Sequence, residues 1–317
     1  MSADSEALER LYSALERWVA EEPGALGAEA VRFAQQIGLS SRVYFSFSDA
    51  PPLLQMPLWL GRDLPAPVAD RVLMAAALSY ALIRIQDNLL DEPTSRGHAP
   101  QLLVGNLMFW DALAELRALG LSEAFWGAAR AAWSRSQHAA AAELVALQRR
   151  TSYSSLEYEA HCQKVALAEI PLLAVLDLQG RLPVAAATVT ELVHELGKSY
   201  GIFNDVLGYR RDLRAGGQTF LLAQIRERLG LVDLGRPDNH PLEIVDIEAV
   251  LLREPLLESF LQRAGPWHTS ARALAQKLEM PALVALLDRR DARVEELAGE
   301  ISTLRLVSAL STSGASG

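Results

Sequence analysis

Between short glycine and proline breaks, this 317-residue chain repeats its apolar residues at three- and four-residue intervals almost from end to end. That spacing gathers apolar side chains on one face of a helix, and no run between turn signals alternates as a half-buried strand does. Hydrophobic residues make up 50% of the chain; Ala and Leu dominate them and Val, Ile and Thr runs are scarce, which adds helix propensity to the pattern. The expectation is an all-α protein. Helices are expected over residues 4–21, 27–38, 67–91, 99–118, 121–150, 152–179, 184–212, 217–229, 243–263, 268–277 and 281–310. Pro171 falls inside one of them and predicts a kink after Ala168, because its ring removes a donor and crowds the preceding turn. No fixed-period repeat or linker-like shift in composition divides the chain. One helical domain is expected over residues 1–310, with a small polar tail, residues 311–317, expected to be disordered. The stretch "LVDLGRPDNHP", residues 231–241, is the expected flexible connection.

The formal net charge of −9 argues against a general affinity for nucleic acid or anionic lipid. An anionic substrate would need a local device such as a metal ion. The single cysteine, Cys162, cannot form an internal disulfide, which fits a reducing compartment. The start, "MSADSEALERLYSALERW", is acidic and amphipathic and does not read as a signal peptide, so the expected location is cytoplasmic. The most apolar run, residues 72–83, is bounded by Arg71 and Arg84 and is shorter than the roughly 18 to 20 residues of a spanning helix. A buried helix is expected there, and no transmembrane segment.

That oily run ends in "LSYALIRIQDNLLDEPTSRG", residues 78–97. Asp87 and Asp91 are four apart, so a helix presents both carboxylates on one face, where solvent, Arg84 one turn back or a divalent cation relieves their repulsion. Taken alone, the pattern fits a solvated helix end better than a site. A second stretch changes the weighting: "GKSYGIFNDVLGYRRDLRAGGQTFLL", residues 197–222, sets Asn204, Gly208 and Asp212 on one helix face. Asp205 lies one position round and is the substitute for Asn204 if the helix is turned slightly. Tyr209, Arg210, Arg211 and Arg214 surround them with donors suited to a diphosphate. Two oxygen-rich helix ends, each closing an apolar helix, fit a metal cluster at the mouth of a greasy cavity, and so a substrate with a charged head and a hydrocarbon tail. Mg²⁺ suits such ligands, because it takes carboxylates while keeping room for phosphate oxygens.

These residues resemble the class I isoprenoid synthases. "DNLLDEPTSRG" is similar to the first aspartate-rich motif of trans-isoprenyl diphosphate synthases, Asp-Asp-x-x-Asp followed by Arg-Arg-Gly, with Asn88 at the second aspartate and only Arg96 before Gly97. "NDVLGYRRD" is similar to the second metal motif of terpene cyclases, with Gly208 at the hydroxyl position and Asp212 for the glutamate. It also resembles the second motif of squalene and phytoene synthases, continued here by Gly216 and Phe220. Arg84 resembles the arginine ahead of the first motif in those synthases. "YEAHCQKVALAE" resembles the segment carrying a diphosphate-binding lysine, which makes Lys164 the candidate. The resemblance covers roughly residues 68–222.

The resemblance implies an antiparallel helical bundle with its active-site cavity at the centre, and Mg²⁺, with Mn²⁺ as the alternative ion, held by Asp87, Asp91, Asn204, Asp212 and Asp205. It implies an allylic isoprenyl diphosphate of fifteen or twenty carbons as substrate, bound by Arg84, Arg96, Lys164, Arg211 and Arg214. Tyr158, Phe203 and Tyr209 stand beside it, with Tyr80, Phe109, Trp110 and Tyr200 as further aromatic wall candidates. Many relatives pair, so a homodimer is an assembly open to this chain. The missing N-terminal Gly-Lys-Arg, the single Arg96 and Gly217, near the place of a further lysine, favour single-substrate ionisation. A terpene synthase is therefore the main expectation. The rivals are a prenyltransferase joining two isoprenoid units and a catalytically silent helical partner.

Overall fold

The computed structural model describes residues 3–21, 27–28, 32, 52–91, 98–149, 153–214, 219–230 and 244–313. Among them there is no strand, so the all-α expectation holds. The helices are α1 (Ala3–Glu21), α2 (Gln55–Leu60), α3 (Ala66–Asp91), α4 (His98–Arg117), α5 (Glu123–Arg149) and α6 (Ser155–His161). A 3₁₀ segment (Cys162–Ala168) follows, then α7 (Glu169–Leu178), α8 (Leu182–Arg214), α9 (Phe220–Arg228), α10 (Ile244–Arg253), α11 (Leu256–Gln262), α12 (Ala264–Lys277) and α13 (Pro281–Ser313). The expected helix over 27–38, the expected flexible connection and the last tail residues, 314–317, lie outside the described residues, save 27, 28 and 32. α13 itself continues to Ser313.

Two expected helices are divided. Residues 152–179 form α6, the 3₁₀ segment and α7. Pro171 sits in the first turn of α7, where no intrahelical partner is needed for the N–H it lacks. The kink expected after Ala168 is therefore a full change of helix type at that residue. Residues 243–263 divide at Pro255, which stands at the N-cap of α11. α6 begins on a reciprocal cap: Glu157 N donates to Ser154 Oγ at 3.2 Å, and Ser154 N donates to Glu157 Oε2 at 2.8 Å.

Two apolar cores are threaded by α8. Its first half contributes Leu182, Val189, Leu192, Val193 and Leu196 to a core shared with α1–α5, the 3₁₀ segment, α7, α12 and the start of α13. Its second half contributes Ile202, Phe203 and Val206 to a core shared with α6 and α9–α11. α3 packs against α1, α4, α7 and the 3₁₀ segment. Within α3, residues 66–86 are long and apolar enough to cross a membrane, a stretch longer than the 72–83 run considered from sequence. Its Val72, Leu73, Ala75, Ala77, Leu78, Ala81 and Ile85 are nevertheless buried against other helices, as in a core helix.

Candidate active site on two acidic helices

The backbone places Asp87 and Asp91 in the last two turns of α3. Their carboxylates, the Asn88 amide and the whole of Arg96 lie outside what the structure describes. Arg84 is half-buried one turn earlier, and next to it in the bundle Gln86 and Gln137 join α3 to α5 through a 3.3 Å amide hydrogen bond.

α3 and α8 converge on the 3₁₀ segment, which packs against both and against α5. Ser136 on α5 pins that segment by donating its hydroxyl to the Lys164 carbonyl at 2.7 Å. The Lys164 ammonium lies 2.9 and 3.1 Å from the two carboxylate oxygens of Glu143, also on α5. With a third of its side chain exposed, this lysine stays within reach of a second anion.

α8 approaches the 3₁₀ segment and α6 closely because two glycines, one turn apart, face them. A Cβ on Gly197 would stand 2.6 Å from Val165 Cγ2, and one on Gly201 would stand only 2.4 Å from the Tyr158 hydroxyl oxygen. Tyr158 is fixed in turn, donating its hydroxyl to the Lys198 carbonyl and stacking on Phe220 and Trp267 with centroids 4.9 and 6.0 Å away. Lys198 is buried, 2.6 Å from Glu195 and 5.5 Å above the Trp267 ring. Neither glycine was singled out in the sequence, although paired mid-helix glycines, each costing about 1 kcal/mol against alanine, are a packing signal.

Beyond this contact, α8 divides its polar residues among three directions. Asp205 turns inward: it is 7% exposed and accepts a 3.0 Å hydrogen bond from Leu221 N in the first turn of α9. Burial pushes this carboxyl up to about 7, against the lowering effect of that bond and of nearby Lys164. It serves as a staple between α8 and α9, whose N-terminus is otherwise capped by Thr219. Tyr209 and Arg210 turn toward α10, where Arg210 Nη2 meets Glu248 Oε1 at 2.6 Å. The third direction carries the expected ligand face. Arg211 Nε donates to Asp212 Oδ1 at 2.9 Å, and Arg211 Nη2 reaches Asn204 Oδ1 at 3.4 Å, across Gly208. Arg214 is exposed one turn on.

The structure thus brings Asn204, Gly208, Arg211 and Asp212 together, but with a guanidinium among the oxygens. Among the described residues, no three His, Cys, Asp or Glu side chains are gathered as a metal set. On the α8 face, the guanidinium occupies the Asn204 and Asp212 oxygens that a divalent ion there would need.

The aromatic candidates are dispersed. Tyr158 and Phe203 are buried, Phe203 stacked on His268 with centroids 6.3 Å apart. Phe109 packs on Trp133 at 4.3 Å. Trp110 is 63% exposed on α4, so the expectation that it lines a cavity is corrected. The helical period places it opposite the face that α4 turns to α3. Cys162 is a free, buried thiol, pushed up to about 12 by burial, and has no nucleophilic character at neutral pH. Nothing in the sequence around Glu143 links it to Lys164, its partner in the structure.

No family model and no curated protein matches the chain. Solved structures match in fold at low identity. The octaprenyl pyrophosphate synthase of Helicobacter pylori superposes with a TM-score of 0.68 at 17% identity, over 92% of this chain and 99% of that one. A polyprenyl synthase of Caulobacter crescentus, complexed with calcium and isoprenyl diphosphate, gives 0.68 at 16% identity, over 91% and 94%. The geranylgeranyl pyrophosphate synthase of Corynebacterium glutamicum, complexed with isoprenyl diphosphate and magnesium, gives 0.63 at 17%, over 90% and 96%. The chain has the all-α fold of these synthases.

Proposed function

We propose that this chain, with the fold of isoprenyl diphosphate synthases, binds and ionises an allylic isoprenyl diphosphate and joins its hydrocarbon to a second isoprenoid unit. The observation that carries the reading is the packing of the Lys164 segment against both α3, which ends in Asp87 and Asp91, and α8, which carries Asn204 and Asp212. Transfer takes precedence over the cyclisation expected from sequence, because the structural neighbours are named as prenyl-chain synthases. The sparse cations around the second diphosphate position, with Arg96 alone and Gly217 for a lysine, keep cyclisation as the second reading.

In this reading, the diphosphate is held by side chains from α3, the 3₁₀ segment and α8, together with Arg96. Lys164 exchanges part of its contact with Glu143 for a phosphate oxygen, and Arg84, Arg96, Arg211 and Arg214 add donors. A divalent ion, Mg²⁺ or Mn²⁺, would be held by Asp87 and Asp91 and would supply positive charge to the departing group. Leu78, Ala81, Leu82 and Ile85 are buried in the bundle, Leu82 and Ile85 against Gly105 of α4, and they hold in place the helix that ends in Asp87 and Asp91. Leaving-group charge is then met by cations already in place, Lys164 on Glu143 and Arg211 on Asp212, which need little rearrangement as the charge develops.

The test is product analysis. Purified protein is incubated with Mg²⁺ and ten-, fifteen- or twenty-carbon allylic diphosphates, with and without isopentenyl diphosphate, and the products are resolved by gas chromatography after dephosphorylation. A longer prenyl chain formed only with isopentenyl diphosphate is the expected result. A cyclic hydrocarbon or alcohol from one allylic substrate alone replaces transfer with the cyclase reading.

A further inference from the structure

The α8 face carries a cation of its own. Gly208 lies midway between Asn204 and Asp212 along that face, and a Cβ built on it would stand 2.7 Å from Arg211 Nη2 and 3.1 Å from Asp212 Oδ2. The bare backbone at 208 therefore leaves a space, and the guanidinium fills it. Arg211 Nη2 lies 2.8 Å from Asp212 Oδ1, and its Nε donates to the same oxygen at 2.9 Å. From the same group, Nη2 reaches Asn204 Oδ1 at 3.4 Å. The side-chain oxygens at positions 204 and 212 thus meet one planar cation over the bare backbone of Gly208. Position 208 carries no side chain, and a guanidinium occupies the room above it.

We propose that Arg211 is a tethered substitute for a divalent ion on this face, so that the diphosphate is bound there by a guanidinium while metal is confined to the α3 side. The inference rests on the functional reading above and sharpens it. Two thirds of the Arg211 side chain is exposed while Asp212 is only 13% exposed. Asp212 therefore anchors the inner edge of the fork, and the outer edge stays open to a phosphate. A guanidinium suits that position: it keeps its charge at any working pH, presents donors in a fixed plane and is weakly hydrated, whereas Mg²⁺ sheds water reluctantly. It also carries one charge where a divalent ion carries two, so the face holds the leaving group less strongly. An ion bound to Asn204 and Asp212 would have to displace this arginine.

The test counts ions. Mn²⁺ is titrated into the full-length protein in the presence of inorganic pyrophosphate and followed by electron paramagnetic resonance of free Mn²⁺, with pyrophosphate binding measured in parallel by calorimetry. Wild type, Arg211→Gln and Gly208→Ala are compared. The alanine keeps the arginine in the chain but pushes its flexible end out of the space, at little cost to the helix. Both variants are expected to take up about one more tightly bound Mn²⁺ per chain than wild type, as vacated oxygen ligands become available. Equal Mn²⁺ counts in all three, with pyrophosphate bound, overturn the role of Arg211 and leave the functional reading standing. No pyrophosphate binding by any of them overturns both.

Discussion

Gly201→Ala is expected to destabilise the protein by about 2–4 kcal/mol, the sum of overpacking and a disturbed buried hydrogen bond less the helix propensity gained. The added methyl would sit 2.4 Å from the Tyr158 hydroxyl oxygen and 3.2 and 3.3 Å from two ring carbons. Tyr158 cannot step aside easily, because its ring stacks on Phe220 and Trp267 and its hydroxyl is bonded to the Lys198 carbonyl. The strain therefore passes to α8, one turn before Asn204. Urea unfolding measures the loss, and Tyr158→Phe in the same chain should recover part of it by removing the nearest atom. A Gly201→Ala protein as stable as wild type would show that α8 and α6 are not in the contact described.

Raising the pH from 5 to 8 in the presence of a chelator should weaken wild type relative to Asp205→Asn by about 2–3 kcal/mol. The sign follows from proton binding. Burial lifts Asp205 from its ordinary 3.8 to about 7, so between these values the native state holds a proton that the unfolded state has released. Stability from this group is fully present below the unfolded value and is lost as the pH rises through about 7. Asparagine keeps an acceptor for Leu221 N and has no charge to bury. Taking the difference between the two proteins cancels the opposite trend from His161 and His268, which burial holds below their ordinary range. Denaturant midpoints at pH 5, 6, 7 and 8 give the comparison; parallel curves for the two proteins would contradict the burial of this carboxylate.

Asp205 also illustrates what a sequence leaves undetermined. Spacing puts Asn204, Gly208 and Asp212 on one face and Asp205 one position round, and the structure agrees. What that neighbouring position is for depends on α9, whose first turn brings Leu221 N to the carboxylate from sixteen residues away. Donor type and a place beside Asp212 put Arg211 among the diphosphate donors. Its place over Gly208 depends on the rotamers of Arg211 and Asp212, which spacing does not determine. Glu143 and Lys164 lie on separate elements, and nothing local links them.

Long, strongly periodic segments were the most legible: α3 begins and ends within one residue of expectation, and α8 within two at either end. The 152–179 stretch was not, because a 3₁₀ turn and an α turn bury nearly the same face. What distinguishes them here is contact with α8, where Gly197 admits Val165. Pro171 marks the end of the 3₁₀ segment at Ala168, whereas the contact with α8 along the segment that carries Lys164 depends on residues far away in sequence.

Mg²⁺-dependent release of diphosphate from a fifteen-carbon allylic diphosphate, with isopentenyl diphosphate present, tests most directly whether the two acidic helices form one reaction site. Wild type is compared with Asp87→Ala and Asp212→Ala, each from a separate helix. Release by wild type, reduced by about 10²-fold or more in both variants, is the predicted result. Equal release from all three proteins, or none from wild type, would contradict it.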